Sequence, residues 1–208
     1  MSKIVVFEGA DRCGKATQSK LLREHIVFSG KSAKIVEVPI RSAVTYKLVY
    51  WMLRNGLAKQ LPKLFQALQF LNRKIFQIFM LPALERQYDV IILDRWSLST
   101  IVYGAAEGVS EKFTVGLSNL LRKPDHTIIL LGSSFPHAAE DVYESDAVLQ
   151  QKVREGYSNW AFAHPFEVSV FDCKQDKRVL AKKIQTILEE KDILQCIKYN
   201  NKRGKYEV

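Results

Sequence analysis

Residues 3–18 read KIVVFEGADRCGKATQ. The stretch opens on an apolar run long enough for one strand and stops at a glycine. Apolar residues at successive rather than alternate positions mark a strand buried on both faces, as in a parallel sheet. Gly9, Gly14 and Lys15 then meet the G-x-x-x-x-G-K spacing of a loop that wraps phosphate. From Lys15 the pattern turns helical, with Leu21, Leu22, His25 and Ile26 at three- and four-residue steps. A strand, a glycine loop and a helix in that order aim backbone N–H groups and the positive helix end at one anion. Lys15 adds a flexible point charge. The last place of the motif departs from the pattern: Ala16 stands where a hydroxyl would ligate magnesium. Thr17 lies about 100° further round the helix, so it is expected to touch a phosphate, as is Gln18, rather than to replace that ligand.

Working outward, four more runs read as buried strands: AKIVEV, DVIILD, HTIILL and FEVSVF. Helical spacing predicts helices over Thr45–Arg54, Phe65–Leu81 and about Arg178–Lys191. Apolar strands alternating with helices predict an α/β fold, a central parallel sheet flanked by helices on both faces. No long linker or internal repeat divides residues 1–208, so one domain is expected. The polar, basic tail 196–208 is expected to fray.

The chain has 208 residues, enough to bury roughly 70% of its unfolded surface. Its 47% hydrophobic and 25% charged content is that of a soluble domain. A net charge of +9 favours polyanionic ligands. Lys198, Lys202, Arg203 and Lys205 cluster in the tail, but no nucleic-acid-binding motif accompanies them, and no specific nucleic acid is expected. Three cysteines without metal spacing exclude a zinc site or a disulfide framework. The four scattered histidines form no ligand set. No secretory signal is visible, and no apolar run is long enough to span a membrane, so an intracellular protein without membrane partners is expected.

DVIILDR places Asp94 and Arg95 where a buried strand emerges, which is where open parallel sheets bind ligands. Asp94 can hold a metal-bound water, and Arg95 can grip a phosphate with two parallel hydrogen bonds.

With FEGADRCGKATQ, VPIRS, FLNR, DVIILDRWSLSTIVYGAAEG, RKPDHTIIL and VYESDAVLQQKVREGY in this order, the chain resembles the thymidylate kinase family. The resemblance implies a three-layer fold of the P-loop NTPase type with a short lid over residues 132–144. It implies transfer of the terminal phosphoryl group of ATP to dTMP with Mg²⁺, in a homodimer. It also implies roles by position. Asp11 lies near the acceptor 3′-hydroxyl, and Arg12 reaches the transferred phosphoryl group. Gly9, Arg12, Cys13, Gly14, Lys15, Ala16 and Thr17 line the ATP phosphates. Asp172, Cys173 and Lys174 lie near the adenine. Arg41 and Arg95 grip the acceptor phosphate, Arg73 bonds the base, and Tyr103 and Tyr143 flank the sugar. The lid stretch GSSFPHAAEDVYE holds no arginine or lysine, so positive charge over the transferred group must come from elsewhere, and Arg12 in the loop can supply it.

Two departures bear on specificity. Gln69, four residues before Arg73 and on the same helix face, stands where the family stacks a phenylalanine on thymine. Gln66 and Asn72 are expected near the edge of that pocket, and Phe65 or Phe70 can compensate for the lost ring, Phe65 from the better face. Trp96 and Thr100 replace smaller or more polar neighbours of the acceptor. Another pyrimidine deoxynucleotide as acceptor, or a nucleotide-binding protein with impaired catalysis, are the alternatives these departures leave open.

Overall fold

The computed structural model describes residues 2–132, 146–194, 198–200 and 205–207. The lid stretch beyond Gly132, including Tyr143, and Cys196 lie outside them. In chain order the elements are β1 Lys3–Gly9, α1 Lys15–Phe28, β2 Ala33–Glu37, α2 Val44–Arg54, α3 Leu57–Gln60 and α4 Pro62–Ile75. A π-helical turn, Phe76–Met80, leads into α5 Leu81–Gln87. There follow β3 Val90–Asp94, α6 Ser97–Ala106, α7 Glu111–Asn119, β4 His126–Leu131, α8 Ala147–Ala163, β5 Val168–Asp172 and α9 Lys177–Glu190. Two short strands, β6 Lys198–Asn200 and β7 Lys205–Glu207, close the chain.

The five main strands form one parallel sheet in the order β2-β3-β1-β4-β5. All five were legible as apolar runs. The central strands β1, β3 and β4 are apolar at successive positions because both of their faces are covered. Val5, Phe7, Val90, Ile92, Ile128 and Leu130 face one side, against Leu22 and Ile26 of α1 and Leu180, Ile184 and Leu188 of α9. Their neighbours Ile4, Val6, Ile91 and Leu93 face the other, against Phe76, Leu81 and Trp96. Ile129 meets Leu98, Val102, Val153 and Tyr157 of α6 and α8 on that same side. Each of these positions in the three central strands therefore removes a side chain from water, worth about 1.5–3 kcal/mol for a large aliphatic residue.

The helix expected over Phe65–Leu81 is helical throughout, but its winding changes to a π-helical turn at Phe76–Met80. It begins at Leu61–Pro62, where the proline needs no intrahelical donor, and re-winds at Pro82, which offers no N–H to the preceding turn. In the tail expected to fray, the described residues form a two-stranded ladder. Its backbone pairs Lys198 with Glu207, Tyr199 with Tyr206 and Asn200 with Lys205 in an antiparallel ladder.

Candidate active site

The C-terminal ends of β1, β3 and β4 lie side by side, with Phe7 opposite Asp94 and Gly9 opposite Leu130. The loops leaving them therefore share one edge of the sheet. Residues 9–14 curl through three positive φ angles: 142° at Gly9, 60° at Arg12 and 86° at Gly14. A β-carbon at Gly9 would come within 2.4 Å of the Leu130 carbonyl oxygen and 2.8 Å of Cys13 Sγ, so only glycine fits. Gly14 starts α1 in the left-handed conformation. Lys15 is buried beneath the curl; its ammonium donates to the carbonyl of Ala10 at 2.8 Å and that of Gly9 at 3.4 Å. Ala16 and Thr17 are exposed on the first turn of α1. Gln18 is turned away instead, donating to the Lys177 carbonyl at 3.1 Å; the expectation of a phosphate contact there is corrected.

Asp11 and Arg95 form the next layer. They pair directly, side chain to side chain. Asp11 also accepts from the Tyr103 hydroxyl at 2.9 Å and from Gln150 Nε2 at 2.6 Å, while its own N–H donates to Gln150 Oε1 at 3.1 Å. Burial alone would push the Asp11 carboxyl up, but Arg95, Lys15 and these hydrogen bonds outweigh it and hold the group below the ordinary carboxylate range. Arg95 sits at φ 69°, its N–H on the Phe7 carbonyl at 2.9 Å and its guanidinium carbon 5.0 Å from the centre of the Tyr103 ring. Burial pushes the Tyr103 hydroxyl well above its ordinary value, so it is a neutral donor.

Beneath this pair lies a carboxylate with no recognisable motif in the sequence. Glu8 is fully buried at the end of β1. One oxygen accepts from the N–H groups of Trp96 at 2.8 Å and Ser99 at 3.2 Å; the other accepts from the Ser99 hydroxyl at 2.6 Å and the Tyr157 hydroxyl at 2.8 Å. It thus fixes the start of α6, and with it Arg95, against β1. Gln150 is the other residue that sequence reasoning missed. Its only signal was its place in VLQQK just beyond the lid stretch.

On the far side of α6, Arg73 of α4 is buried and donates to the Thr100 hydroxyl at 3.0 Å. Burial lowers its guanidinium to about 10, opposed by Glu8 and reinforced by Arg95, which leaves it charged near neutral pH. Gln66 donates to Glu107 at 2.9 Å. Asn72 is not at a pocket edge. It is buried and clamps the loop after β2, accepting from the Ile40 N–H at 2.7 Å and donating to the Ile40 carbonyl at 3.2 Å and the Thr45 hydroxyl at 3.0 Å. That loop carries Arg41, which is exposed with its guanidinium 3.3 Å from Glu37. Phe65 is part of the core with Val49, Met52 and Leu98.

Asp94 lies half-buried at the end of β3. Among the described residues no three His, Cys, Asp or Glu side chains converge as a metal cage. Asp172 ends β5 and Cys173 and Lys174 begin the turn after it, with the Cys173 N–H on the Leu131 carbonyl at 2.7 Å and the Lys174 N–H on the Asp172 carboxylate at 2.9 Å. Burial raises the Cys173 thiol above its ordinary value, leaving it protonated.

The chain is 26% identical over 197 residues to the 251L protein of Invertebrate iridescent virus 6, a thymidylate kinase by assignment, covering 90% of this chain and 88% of that one. The fold superposes on that of the thymidylate kinase from Candida albicans with a TM-score of 0.73, at 23% identity, over 92% of this chain and 93% of the other. The thymidylate kinase family model matches residues 7–184. Because that match runs from the phosphate loop into α9, over most of the 208 residues, the chain belongs to the thymidylate kinase family.

Proposed function

We propose the following division of labour for the reaction that family membership gives this chain, ATP-dependent phosphorylation of dTMP to dTDP. The curl of residues 9–17 wraps the ATP phosphates with backbone N–H groups, and the turn at Asp172–Lys174 borders the adenine. Lys15 moves from the carbonyls of Gly9 and Ala10 to the terminal phosphates. Arg12, in the loop, supplies positive charge to the group in transit. The acceptor phosphate is already an anion near neutral pH, so no strong base is needed. What accelerates the transfer is alignment of two charged groups and compensation of their charge. Arg95 and Arg41 hold the acceptor phosphate, Arg73 the base, and Tyr103, Tyr143 and Asp11 the sugar.

Mg²⁺, when bound, spreads charge between phosphate oxygens. The donor set fits it only loosely: Asp94 can orient its water, and Ala16 has no oxygen to offer. Phosphate oxygens and water can supply the rest, as this ion tolerates.

The carrying observation is the shared edge of β1 and β3. It brings buried Lys15 and the Asp11–Arg95 pair, two cations with a carboxylate between them, to one face of the phosphate loop. A coupled assay of the full chain with ATP, Mg²⁺ and dTMP, dUMP, dCMP or dGMP tests the reading. Turnover greatest with dTMP supports it; turnover with none of the four rejects it.

The chain works as one domain and as a homodimer inside the cell, where ATP is available. Supporting the dimer, the outward stripe of the long helical arm is apolar: Leu64, Leu71, Ile78 and Phe79 are 50%, 43%, 53% and 74% exposed. The buried side of that arm is instead Phe65, Asn72, Arg73 and Phe76. The stripe is thus the side of the arm turned away from its own core, and a second copy of the chain is the partner that an apolar helix face of this length fits.

A further inference from the structure

Helices α4 and α6 meet along a polar ladder. Arg73 reaches Thr100, and Gln66, seven residues earlier, reaches Glu107, seven residues later. The two helices therefore run antiparallel, and the middle rung falls at Gln69 and Tyr103. Tyr103 is already committed, its hydroxyl to Asp11 and its ring to Arg95. Gln69 Oε1 is buried without a hydrogen-bond partner among the described residues, and so is Arg73 Nε, one turn further along. A buried polar atom left unpaired costs about 1–3 kcal/mol. Here there are two of opposite kind, an acceptor and a donor, on one helix face.

That pair matches an edge which presents a donor beside an acceptor. A 4-oxopyrimidine does so with N3–H and O4. A 4-aminopyrimidine reverses the order, and turning over the Gln69 amide cannot remedy it, because Arg73 can only donate. We propose that Gln69 determines acceptor-base specificity by accepting the N3–H of a 4-oxopyrimidine while Arg73 donates to O4. Edge reading at Gln69 thereby takes the place of ring stacking. The inference rests on the thymidylate kinase reading of the site.

The test compares kcat/KM for dTMP and for its N3-methyl derivative, in the wild type and in Gln69→Leu and Gln69→Glu. In the wild type, N3-methylation lowers kcat/KM by about 10²-fold or more, since a site built to bond a polar edge rejects an edge lacking it. In Gln69→Leu the rate with dTMP falls by about tenfold, and the dTMP preference over the methylated substrate shrinks by a similar factor. Gln69→Glu, which keeps an acceptor, retains the preference. A merely structural role for Gln69 would lower both rates together and leave their ratio unchanged, which overturns the proposal. Equal kcat/KM for the two substrates in the wild type overturns it without any variant. Wild-type protein that turns over neither substrate overturns the wider reading as well, whereas turnover with an unmoved ratio overturns the role of Gln69 alone.

Discussion

Arg95 donates a hydrogen bond to the carbonyl oxygen of Gly9 across 3.1 Å, although 86 positions separate the two in the chain. The bond ties the loop after β3 to the first residue of the phosphate loop. The same guanidinium holds Asp11 and lies over Tyr103. A lysine keeps the charge but cannot span these partners at once, because it lacks the planar fork. Arg95→Lys is expected to lower kcat/KM for dTMP by about 10²-fold, while ATP binding measured by titration calorimetry changes little. An unchanged kcat/KM would remove Arg95 from the acceptor site.

The rung between Gln66 and Glu107 titrates. Burial pushes the Glu107 carboxyl up to about 7, opposed only in part by Gln66 and Lys59. The folded state therefore binds this proton more tightly than the unfolded chain, whose carboxyl has its ordinary value of 4.5. The contribution to stability is complete below that ordinary value and is lost as pH rises through about 7. Melting temperatures are expected to fall between about pH 5 and pH 8, with a flatter profile for Glu107→Gln. Parallel profiles for the two proteins would show that Glu107 is not the titrating group.

Ala16 leaves the metal one protein oxygen short. Ala16→Ser is expected to tighten Mg²⁺-dependent ATP binding by about tenfold, the order of one charge-assisted contact. Titration of ATP with and without Mg²⁺ separates this from a change in phosphate contacts, which would appear without the metal too. An unchanged magnesium dependence would mean that residue 16 does not face the ion.

The apolar stripe of α4 and the π-helical turn gives a separate test. Leu71 is 43% exposed on that stripe. Leu71→Asp is expected to shift the sedimenting species from dimer to monomer, since a charge at the centre of an apolar interface is desolvated without a partner. A monomeric wild-type protein would assign the stripe to something other than a second copy.

Sequence made the sheet and the loop readable because both are written in consecutive residues. Ile91, Ile92 and Leu93 are apolar in a row because both faces of β3 are covered, and Gly9 is glycine because the Leu130 carbonyl leaves no room for a β-carbon. Glu8 was not readable. An acid ending an apolar run has the same appearance whether it faces water or four buried donors, and those donors come from Trp96, Ser99 and Tyr157, far along the chain. Asn72 was misplaced for a related reason. Helical spacing gives the face a residue shares but not the loop that crosses it, and here the loop at Ile40 crosses Asn72. The stripe Leu64–Leu71–Ile78 has the spacing of a core face yet points outward, because the opposite side of the same helix, packed on α2 and α6, carries the polar residues of the site. The pairing of the tail was hidden because its strands are only three residues long and polar.

The central claim is that the loop under which Lys15 is buried cradles the phosphoryl group passing from ATP to dTMP. Product formation followed by phosphorus NMR in wild type and Lys15→Met tests it most directly. The account predicts dTDP from the wild type, and a loss of at least about 10²-fold in the variant with its melting temperature largely kept. A folded Lys15→Met that makes dTDP at the wild-type rate, or a wild type that binds ATP and makes none, would contradict it.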